Sequence, residues 1–351
     1  MTVPTTPKLS VRNLWKIYGP NPRRMVSGEF QAMTHSERLK FLRDKEHFVA
    51  AADVSFDVYE GETFVIMGLS GSGKSTVMRA IARLDEPTSG EIFLDDIDLM
   101  KASKKELTEI RRRKMGMVFQ NFGLMPHLDV VQNVAFPLKA QGQPRERRTA
   151  HARKMTELVG LAGKEKSYPH QLSGGQQQRV GIARSLAAEP ELWFLDEPFS
   201  ALDPLIRAQM QDEFLRLQKQ LLKTIVFVTH DFLEALKLAD NICIMKDGEI
   251  VQIGTPAEIV LHPANDYVRE FIGDVPLANV LYTGDLMSPA WKDDEVHPTV
   301  ASDVILTDAI KLFDETTETV DVIDKDGNIL GSLHPLNIIR SLYHDEVLPT
   351  P

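Results

Sequence analysis

The stretch Gly68–Ser75, which reads GLSGSGKS, decides the fold of this chain. It satisfies the pattern GxxxxGK[ST]. An apolar run at 63–67 (TFVIM) precedes it and predicts a buried strand, while KSTVMRAIARL predicts a helix that begins at its end. Glycines let backbone N–H groups and a positive helix N-terminus surround a phosphate. The stretch therefore predicts a phosphate-binding loop in an α/β domain, because a ligand-free glycine turn rarely matches the full pattern with both flanks in place.

Two side chains of this loop are predicted to contact a nucleotide directly. Lys74 is expected to bind the β- and γ-phosphates, and Ser75 is expected to supply a hydroxyl to Mg²⁺, since hard cations take oxygen ligands. The other predicted members of the loop site are Gly68, Ser70, Gly71, Ser72, Gly73 and Thr76.

Two acidic residues follow a second predicted strand. The apolar run at 192–195 (LWFL) leads into Asp196 and Glu197, at the strand end where ligands of α/β sheets collect. Asp196 is expected to orient Mg²⁺ through water, and Glu197 is expected to act as the general base on the attacking water. An acidic pair at a strand end is more often a solvated turn, but the phosphate loop upstream favours the catalytic interpretation.

Two further polar residues follow apolar runs in the same way. Gln120 comes after MGMVF and can reach both a metal ion and a water molecule, so we predict a catalytic and a metal-binding role for it. His230 comes after IVFVT and is predicted to sense the γ-phosphate as a catalytic residue. Without the other motifs, both would be interpreted as ordinary polar residues.

The composition limits the possible functions. A net charge of −10 gives no reason to expect a surface for nucleic acid, and the basic runs at 111–114 and 145–148 are typical of solvated helix faces. The single cysteine, Cys243, excludes a disulfide within the chain and fits a reducing compartment. No apolar stretch approaches the roughly 20 residues that span a bilayer, and the N-terminal sequence lacks the apolar core of a signal peptide. Any membrane role is therefore predicted to be peripheral.

The 351 residues are long enough for a main domain and a smaller one. Further strands are predicted at 8–18, 49–58, 225–228, 242–245 and 250–253. We predict a main domain over 1–273, with an insertion at 19–48 and a helical subdomain at about 100–190, then a linker over 274–298 and a small unit over 299–351.

A second glycine-containing motif precedes another predicted helix: residues 172–176 read LSGGQ. In combination with the phosphate loop, it resembles the ATP-binding-cassette (ABC) ATPases, over roughly residues 8–273. The resemblance implies a P-loop fold with a helical subdomain, ATP and Mg²⁺ as cofactors, and ATP hydrolysis. It also implies a head-to-tail homodimer in which one subunit closes over the ATP bound by its partner, through Ser173, Gly174, Gly175 and Gln176.

Other positions of the family find matches in this sequence. Gln120 matches the Q-loop, His230 matches the switch histidine, and residues 200–203 (SALD) match the D-loop, so Asp203 is included among the nucleotide-binding residues. Tyr18 resembles the aromatic residue that stacks on adenine. Phe48 is the alternative, because the insertion lengthens the spacing between Tyr18 and the phosphate loop.

Four longer stretches are similar to the glycine betaine/proline importer ATPases: VIMGLSGSGKST, MVFQNFGLMPH, FSALDPLIRAQMQDE and GTPAEIVLHPANDYVREF. This likeness implies uptake of a quaternary amine such as glycine betaine, proline betaine, choline or carnitine. The implied partners are a separate integral-membrane permease and a periplasmic or extracellular substrate-binding protein, with this subunit on the cytoplasmic face of the inner membrane. The family docks a permease helix near Phe122, Leu124 and Met125, although core packing explains each of them equally well.

Other functions fit the sequence less well. Soluble ABC proteins of DNA repair carry a long coiled coil between the two motifs, and those of translation carry two cassettes, whereas this sequence has neither. One half of an exporter would require transmembrane helices fused to the cassette, and this sequence has no apolar stretch long enough for one. An importer ATPase for a different small solute stays open.

The C-terminal stretch VDVIDKDGNILGSLHPLNII, residues 320–339, resembles one CBS (cystathionine-β-synthase-type) repeat. Its pattern of helix, strand, Asp-Gly turn, strand and helix predicts a small α+β unit. We expect this unit to regulate the ATPase, through a hidden second copy or through pairing between subunits, or to serve only as a structural cap.

Overall fold

The computed structural model describes residues 6–120, 122–273, 275–290, 297–314 and 317–342. These residues divide into two compact units, one that ends at Ile253 and one that begins at Gly254. No helix in the described ranges is both long and apolar enough to cross a lipid bilayer.

The first unit contains ten strands and ten helices. The strands are β1 Leu9–Tyr18, β2 Phe48–Val58, β3 Thr63–Met67, β4 Ser89–Leu94, β5 Ile97–Asp98, β6 Met115–Val118, β7 Leu192–Asp196, β8 Thr224–Thr229, β9 Asn241–Lys246 and β10 Glu249–Gly254. The helices are α1 Pro22–Met25, α2 Glu29–Ala32, α3 His35–Asp44, α4 Lys74–Ile81, α5 Lys104–Arg113, α6 Val130–Ala140, α7 Arg145–Leu158, α8 Gly174–Leu186, α9 Pro204–Leu221 and α10 Phe232–Leu238.

A six-stranded sheet forms the centre of this unit, in the order β10-β9-β3-β8-β7-β6. Within this sheet, the pairs β6–β7, β7–β8, β8–β3 and β3–β9 are parallel. Every residue of β3, β7 and β8 is buried, as expected for parallel strands that are covered on both faces. The carboxyl ends of β3, β6, β7 and β8 therefore lie at one edge of the sheet, which confirms the predicted strands and brings together the polar residues that follow them.

A smaller antiparallel sheet carries the N-terminal strand, in the order β2-β1-β4-β5. The rings of Phe56 in β2 and Phe64 in β3 stack with centroids 4.7 Å apart, so the two sheets share one apolar core with α4. The insertion between β1 and β2 forms α1, α2 and α3. These helices cover a satellite cluster in which Trp15 meets Phe30 edge to face.

The second unit holds a three-stranded sheet of β11 Thr299–Ala301, β12 Val320–Ile323 and β13 Ile329–Leu333, in the order β11-β12-β13. Strands β11 and β12 are parallel, and β12 and β13 are antiparallel. The helices of this unit are α11 Pro256–Leu261, α12 Asp266–Ile272, α13 Thr283–Leu286, α14 Leu306–Ala309 and α15 Pro335–Leu342. The described part of the chain also contains three 3₁₀ turns, at Pro169–Gln171, Leu277–Asn279 and Ile310–Leu312.

Part of the predicted linker takes part in the second unit. Tyr282 forms an isolated bridge with Ile305, and Ser288 forms one with Ser332. The backbone N–H of Thr283 donates to the carbonyl of Val304 at 2.9 Å. This segment is thus paired with residues that follow β11 in the sequence.

Candidate nucleotide-binding site

The loop between β3 and α4 has the backbone conformation that its glycines permit. Gly71 and Gly73 have φ angles of +85° and +99°, in the left-handed region. A Cβ atom at Gly73 would collide with the carbonyl of Ala50 in β2, whereas a Cβ at Gly71 would meet no atom within 4 Å. One side of the loop is thus packed against the sheet, and the other side is open for a ligand.

Lys74 is only 5% exposed, although it carries a charge. Its Nζ donates to the carbonyls of Gly68 and Leu69 at 2.9 and 3.0 Å, so its near partners are neutral. Burial lowers the pKa of Lys74, and the charges of Glu197 and Asp196 partly oppose this effect. A buried ammonium group held this way favours the arrival of an anion.

The hydroxyl of Ser72 supports the same conclusion. Its Oγ is buried and has no hydrogen-bond partner among the described residues. A buried hydroxyl without a partner costs free energy. A phosphate oxygen in the loop would satisfy it, so the loop fits a phosphate.

The side chain of Ser75 meets the end of β7. Its hydroxyl donates to Asp196 Oδ1 at 2.7 Å, and Arg79 Nη2 lies 3.3 Å from Asp196 Oδ2. Asp196 is only 3% exposed. Hydroxyl and carboxylate oxygens are the ligands that Mg²⁺ prefers, so this pair fits the predicted magnesium site.

Glu197 stands at the centre of the predicted catalytic residues. Gln120 Nε2 lies 3.3 Å and His230 Nδ1 lies 3.2 Å from the same oxygen, Glu197 Oε2. Glu197 also has a φ angle of +45°, which is rare for a non-glycine residue and typical of strained functional positions. The structure therefore brings Gln120, Glu197 and His230 together beside Asp196.

The residues of the LSGGQ motif and Asp203 make their hydrogen bonds elsewhere. Ser173 and Gln176 form a capping box at the start of α8, and Asp203 Oδ1 accepts from the N–H of Ile206 at the start of α9. Ser173 and Gly174 are exposed. The first turn of α8 thus presents a helix N-terminus to solvent, a second position suited to phosphate.

Tyr18 and Phe48 are neighbours despite their distance in sequence. They pair across β1 and β2, and their rings stack with centroids 6.4 Å apart at an angle of 29°. Tyr18 is 43% and Phe48 63% exposed, so both offer a ring face to a planar ligand.

The predicted docking loop lies beside a groove of about 450 Å³. Phe119, Met125, Phe136, Pro137 and Arg184 contribute to its lining. Phe122 and Leu124 are half-buried, and of the three predicted docking residues it is Met125 that lines this groove.

Sequence reasoning missed two arginines of the site. Arg79 lies one helical turn after Ser75, so the i, i+4 spacing in α4 could have indicated its contact with Asp196. Arg184 contacts the loop after Gln120, and its sequence context gives no comparable signal.

Comparisons with known proteins show the family of this chain. A family model described as ABC transporter matches residues 51–200. The dimeric structure of the ATP-binding cassette MJ0796 in a post-hydrolysis state bound to ADP and Pi is similar, with a TM-score of 0.59 and 35% identity; the match covers 71% of this chain and 98% of that chain.

Curated relatives match over greater lengths. The trimethylamine N-oxide transport system ATP-binding protein of Pelagibacter ubique is 49% identical, over 97% of this chain and 98% of its own length. The glycine betaine transport ATP-binding protein of Bacillus subtilis is 48% identical, over 81% of this chain and 67% of its own length. The chain belongs to the family of ABC transporter ATP-binding subunits, which bind and hydrolyse ATP.

Proposed function

We propose that this chain is the ATP-hydrolysing subunit of an importer for a small methylated amine, with trimethylamine N-oxide as the first candidate substrate. The lengths of the matches carry this proposal. The trimethylamine N-oxide relatives match 97% and 93% of the chain, whereas the glycine betaine relative matches 81%. Glycine betaine is the second candidate, because its relatives have nearly the same identity over the shared region; proline betaine, choline and carnitine belong to the same class.

In this proposal, the edge of the central sheet binds ATP. Lys74 and the N–H groups of the loop hold the phosphates, while Ser75 and Asp196 would hold Mg²⁺, which neutralises phosphate charge when bound. Glu197 accepts the proton of the attacking water, and Gln120 and His230 hold that carboxylate in place through Oε2.

The exposure of Ser173 and Gly174 in the LSGGQ motif supports a head-to-tail homodimer. Ser173–Gln176 and Asp203 would complete the site of the partner, because they make no hydrogen bond to the phosphate loop within the described part of this chain. The other proposed partners are an integral-membrane permease, which would dock on the groove that Met125 lines, and an extracytoplasmic substrate-binding protein. This subunit would then sit peripherally on the cytoplasmic face of the membrane.

The domain limits that the sequence predicts, and a CBS-like regulatory or capping role for 299–351, also stay proposals. The mixed three-stranded sheet β11-β12-β13 supports an α+β unit there. Its contribution to regulation would appear as a change in transport, without loss of ATP binding, when the unit is removed.

The substrate is tested with the whole transporter, purified with its permease and binding protein and reconstituted in lipid. We expect trimethylamine N-oxide to stimulate ATP hydrolysis more strongly than glycine betaine at equal concentration. Stronger stimulation by glycine betaine would reverse the order of the candidates. No stimulation by any methylated amine would contradict the proposed substrate class, although ATP hydrolysis itself would persist.

The adenine contact gives a separate prediction. Replacing the ring that stacks on adenine by alanine should weaken ATP binding by about 1–3 kcal/mol, the usual contribution of a base–aromatic stack. We expect the larger loss for Tyr18→Ala, measured by calorimetric titration with ATP, and a smaller loss for Phe48→Ala, which would act through the Tyr18 ring. A larger effect of Phe48→Ala would assign the stack to Phe48.

A further inference from the structure

Arg184 holds the loop that follows Gln120 against helix α8. Its Nη1 donates to the carbonyl of Gly123 at 2.6 Å, and its Nη2 donates to the carbonyl of Phe122 at 2.8 Å. In the described part of the chain, no carboxylate forms an ion pair with Arg184, and burial lowers its pKa. The guanidinium therefore binds two successive backbone carbonyls. Its planar group with two parallel N–H donors, here called the fork, suits this arrangement.

The loop is strained where Arg184 binds it. Phe122 and Gly123 both have φ angles of +56°, and a bulky aromatic residue in the left-handed region costs of order 1–3 kcal/mol. Such a conformation persists only when its surroundings hold it. The loop also lies close to the helix, because a Cβ at Gly181 would stand 3.7 Å from the carbonyl of Phe122.

The contact joins helix α8, which carries the LSGGQ motif, to the loop that follows Gln120. Arg184 lies in the last turn of α8, whose first turn carries the LSGGQ motif, about 15 Å away at 1.5 Å per residue. Gln120 lies two residues before Phe122 in the sequence, and its Nε2 lies 3.3 Å from Glu197 Oε2. A rigid helix thus joins the motif that would face the partner's nucleotide to the residue beside this subunit's general base.

We propose that Arg184 is a positioning residue that couples the signature helix to Gln120. When the partner's nucleotide engages the start of α8, movement of the helix carries the loop with it through the two hydrogen bonds, and Gln120 shifts relative to Glu197. This inference rests on the proposed function, since it requires a dimer in which the LSGGQ motif meets nucleotide.

Arg179 provides a matched control on the same helix. Its Nη1 also donates to a backbone carbonyl, that of Val159 at 3.0 Å, but this partner lies at the end of α7 and not in the loop after Gln120. Lysine at either position keeps the charge and removes the guanidinium that donates to the backbone carbonyl. If the arginines of α8 only stabilise the helix packing, Arg184→Lys and Arg179→Lys should lower kcat by similar factors.

The test is a double-mutant cycle in the whole transporter. We measure kcat and KM for ATP in Arg184→Lys, in Gln120→Ala and in the double variant, with thermal unfolding of each. Arg184→Lys should lower kcat about tenfold, within the range of coupled side chains, while KM changes less than about twofold. The double variant should be no slower than the slower single variant. In the same cycle with Arg179→Lys, the fold-losses of kcat in the two single variants should multiply in the double variant.

The proposal would be overturned if the fold-losses of kcat for Arg184→Lys and Gln120→Ala multiply in the double variant. It would also be overturned if Arg179→Lys lowers kcat as much as Arg184→Lys does. If Arg184→Lys does not fold, Gly123→Ala replaces it in the cycle, because the φ of +56° at Gly123 is unfavourable for alanine and strains the backbone whose carbonyl Arg184 binds. A wild-type transporter that hydrolyses no ATP would instead contradict the proposed function, so the two failures are distinguishable.

Discussion

A Glu197→Gln variant is expected to bind ATP as the wild type does, while its kcat falls by about 10²- to 10⁴-fold, the usual contribution of a general base. Glutamine preserves the shape of the side chain and keeps an oxygen for contact with Gln120 and His230. It cannot accept the proton of water at neutral pH. Because ATP then persists in the site, the two subunits should remain together.

Glu191→Gln is the matched control for this prediction. Glu191 precedes β7 and pairs with Lys8 and Lys114, whereas Glu197 follows the same strand. We expect Glu191→Gln to leave turnover within about twofold of the wild type, because partly exposed ion pairs contribute about 0–1 kcal/mol to stability. Normal turnover of Glu197→Gln, with the protein monomeric in ATP on size exclusion, would contradict both the base assignment and the dimer.

Replacement of Lys74 by methionine is expected to weaken ATP binding by about 10- to 150-fold, the equivalent of about 1.5–3 kcal/mol for hydrogen bonds to a charged group. Methionine keeps the length of the side chain in a buried position and removes the charge. Calorimetric titration with ATP measures the effect. Lys101→Met is the control, since Lys101 is exposed and its ion pair among the described residues is with Asp98, three positions earlier. Equal affinities of wild type and Lys74→Met would contradict the phosphate contact.

Thermal unfolding separates this loss of binding from a loss of folding. Without nucleotide, Lys74→Met should be at least as stable as the wild type, because it removes a buried charge whose partners are neutral carbonyls. Burial lowers the pKa of Lys74 from its ordinary 10.5, so the unfolded chain binds this proton more tightly than the folded protein. The free-energy cost of the buried charge should therefore be present in full below the folded-state pKa of Lys74, and should diminish as the pH rises from that pKa towards 10.5. At the same ATP concentration, the unfolding temperature should rise more for the wild type than for the variant.

The sequence predicted most of the central site because each functional residue follows a parallel strand. Asp196 ends β7, Glu197 follows it directly, and His230 directly follows β8. The carboxyl ends of neighbouring parallel strands meet at one edge of the sheet. The position of these residues in the fold therefore follows from the strand that immediately precedes each of them in the sequence. The same reasoning placed Lys74 at the start of α4, where the glycine turn leads into a helix.

Features that depend on contacts between distant segments could not be predicted this way. Tyr18 and Phe48 become neighbours because the insertion closes on itself between β1 and β2, and no spacing rule indicates this register. The strained φ of Glu197 and the fork from Arg184 to the loop are likewise products of tertiary packing. Side chains that bind a backbone carbonyl across the fold leave no periodic signal in the sequence.

The central claim is that each ATP site is shared between two subunits, and a charge at Ser173 tests it most directly. Aspartate caps helices as well as serine does, and a negative charge favours a helix N-terminus, so Ser173→Asp should preserve α8. Ser173→Asn is the neutral control. In the Glu197→Gln background, sedimentation with ATP reports the dimer, and calorimetry reports ATP binding by the monomer.

We expect Ser173→Asp to bind ATP with unchanged affinity and to remain monomeric, because its carboxylate would face the partner's γ-phosphate, while Ser173→Asn forms the dimer. Formation of the ATP-dependent dimer by Ser173→Asp at the same protein concentration as the parent would contradict the shared site.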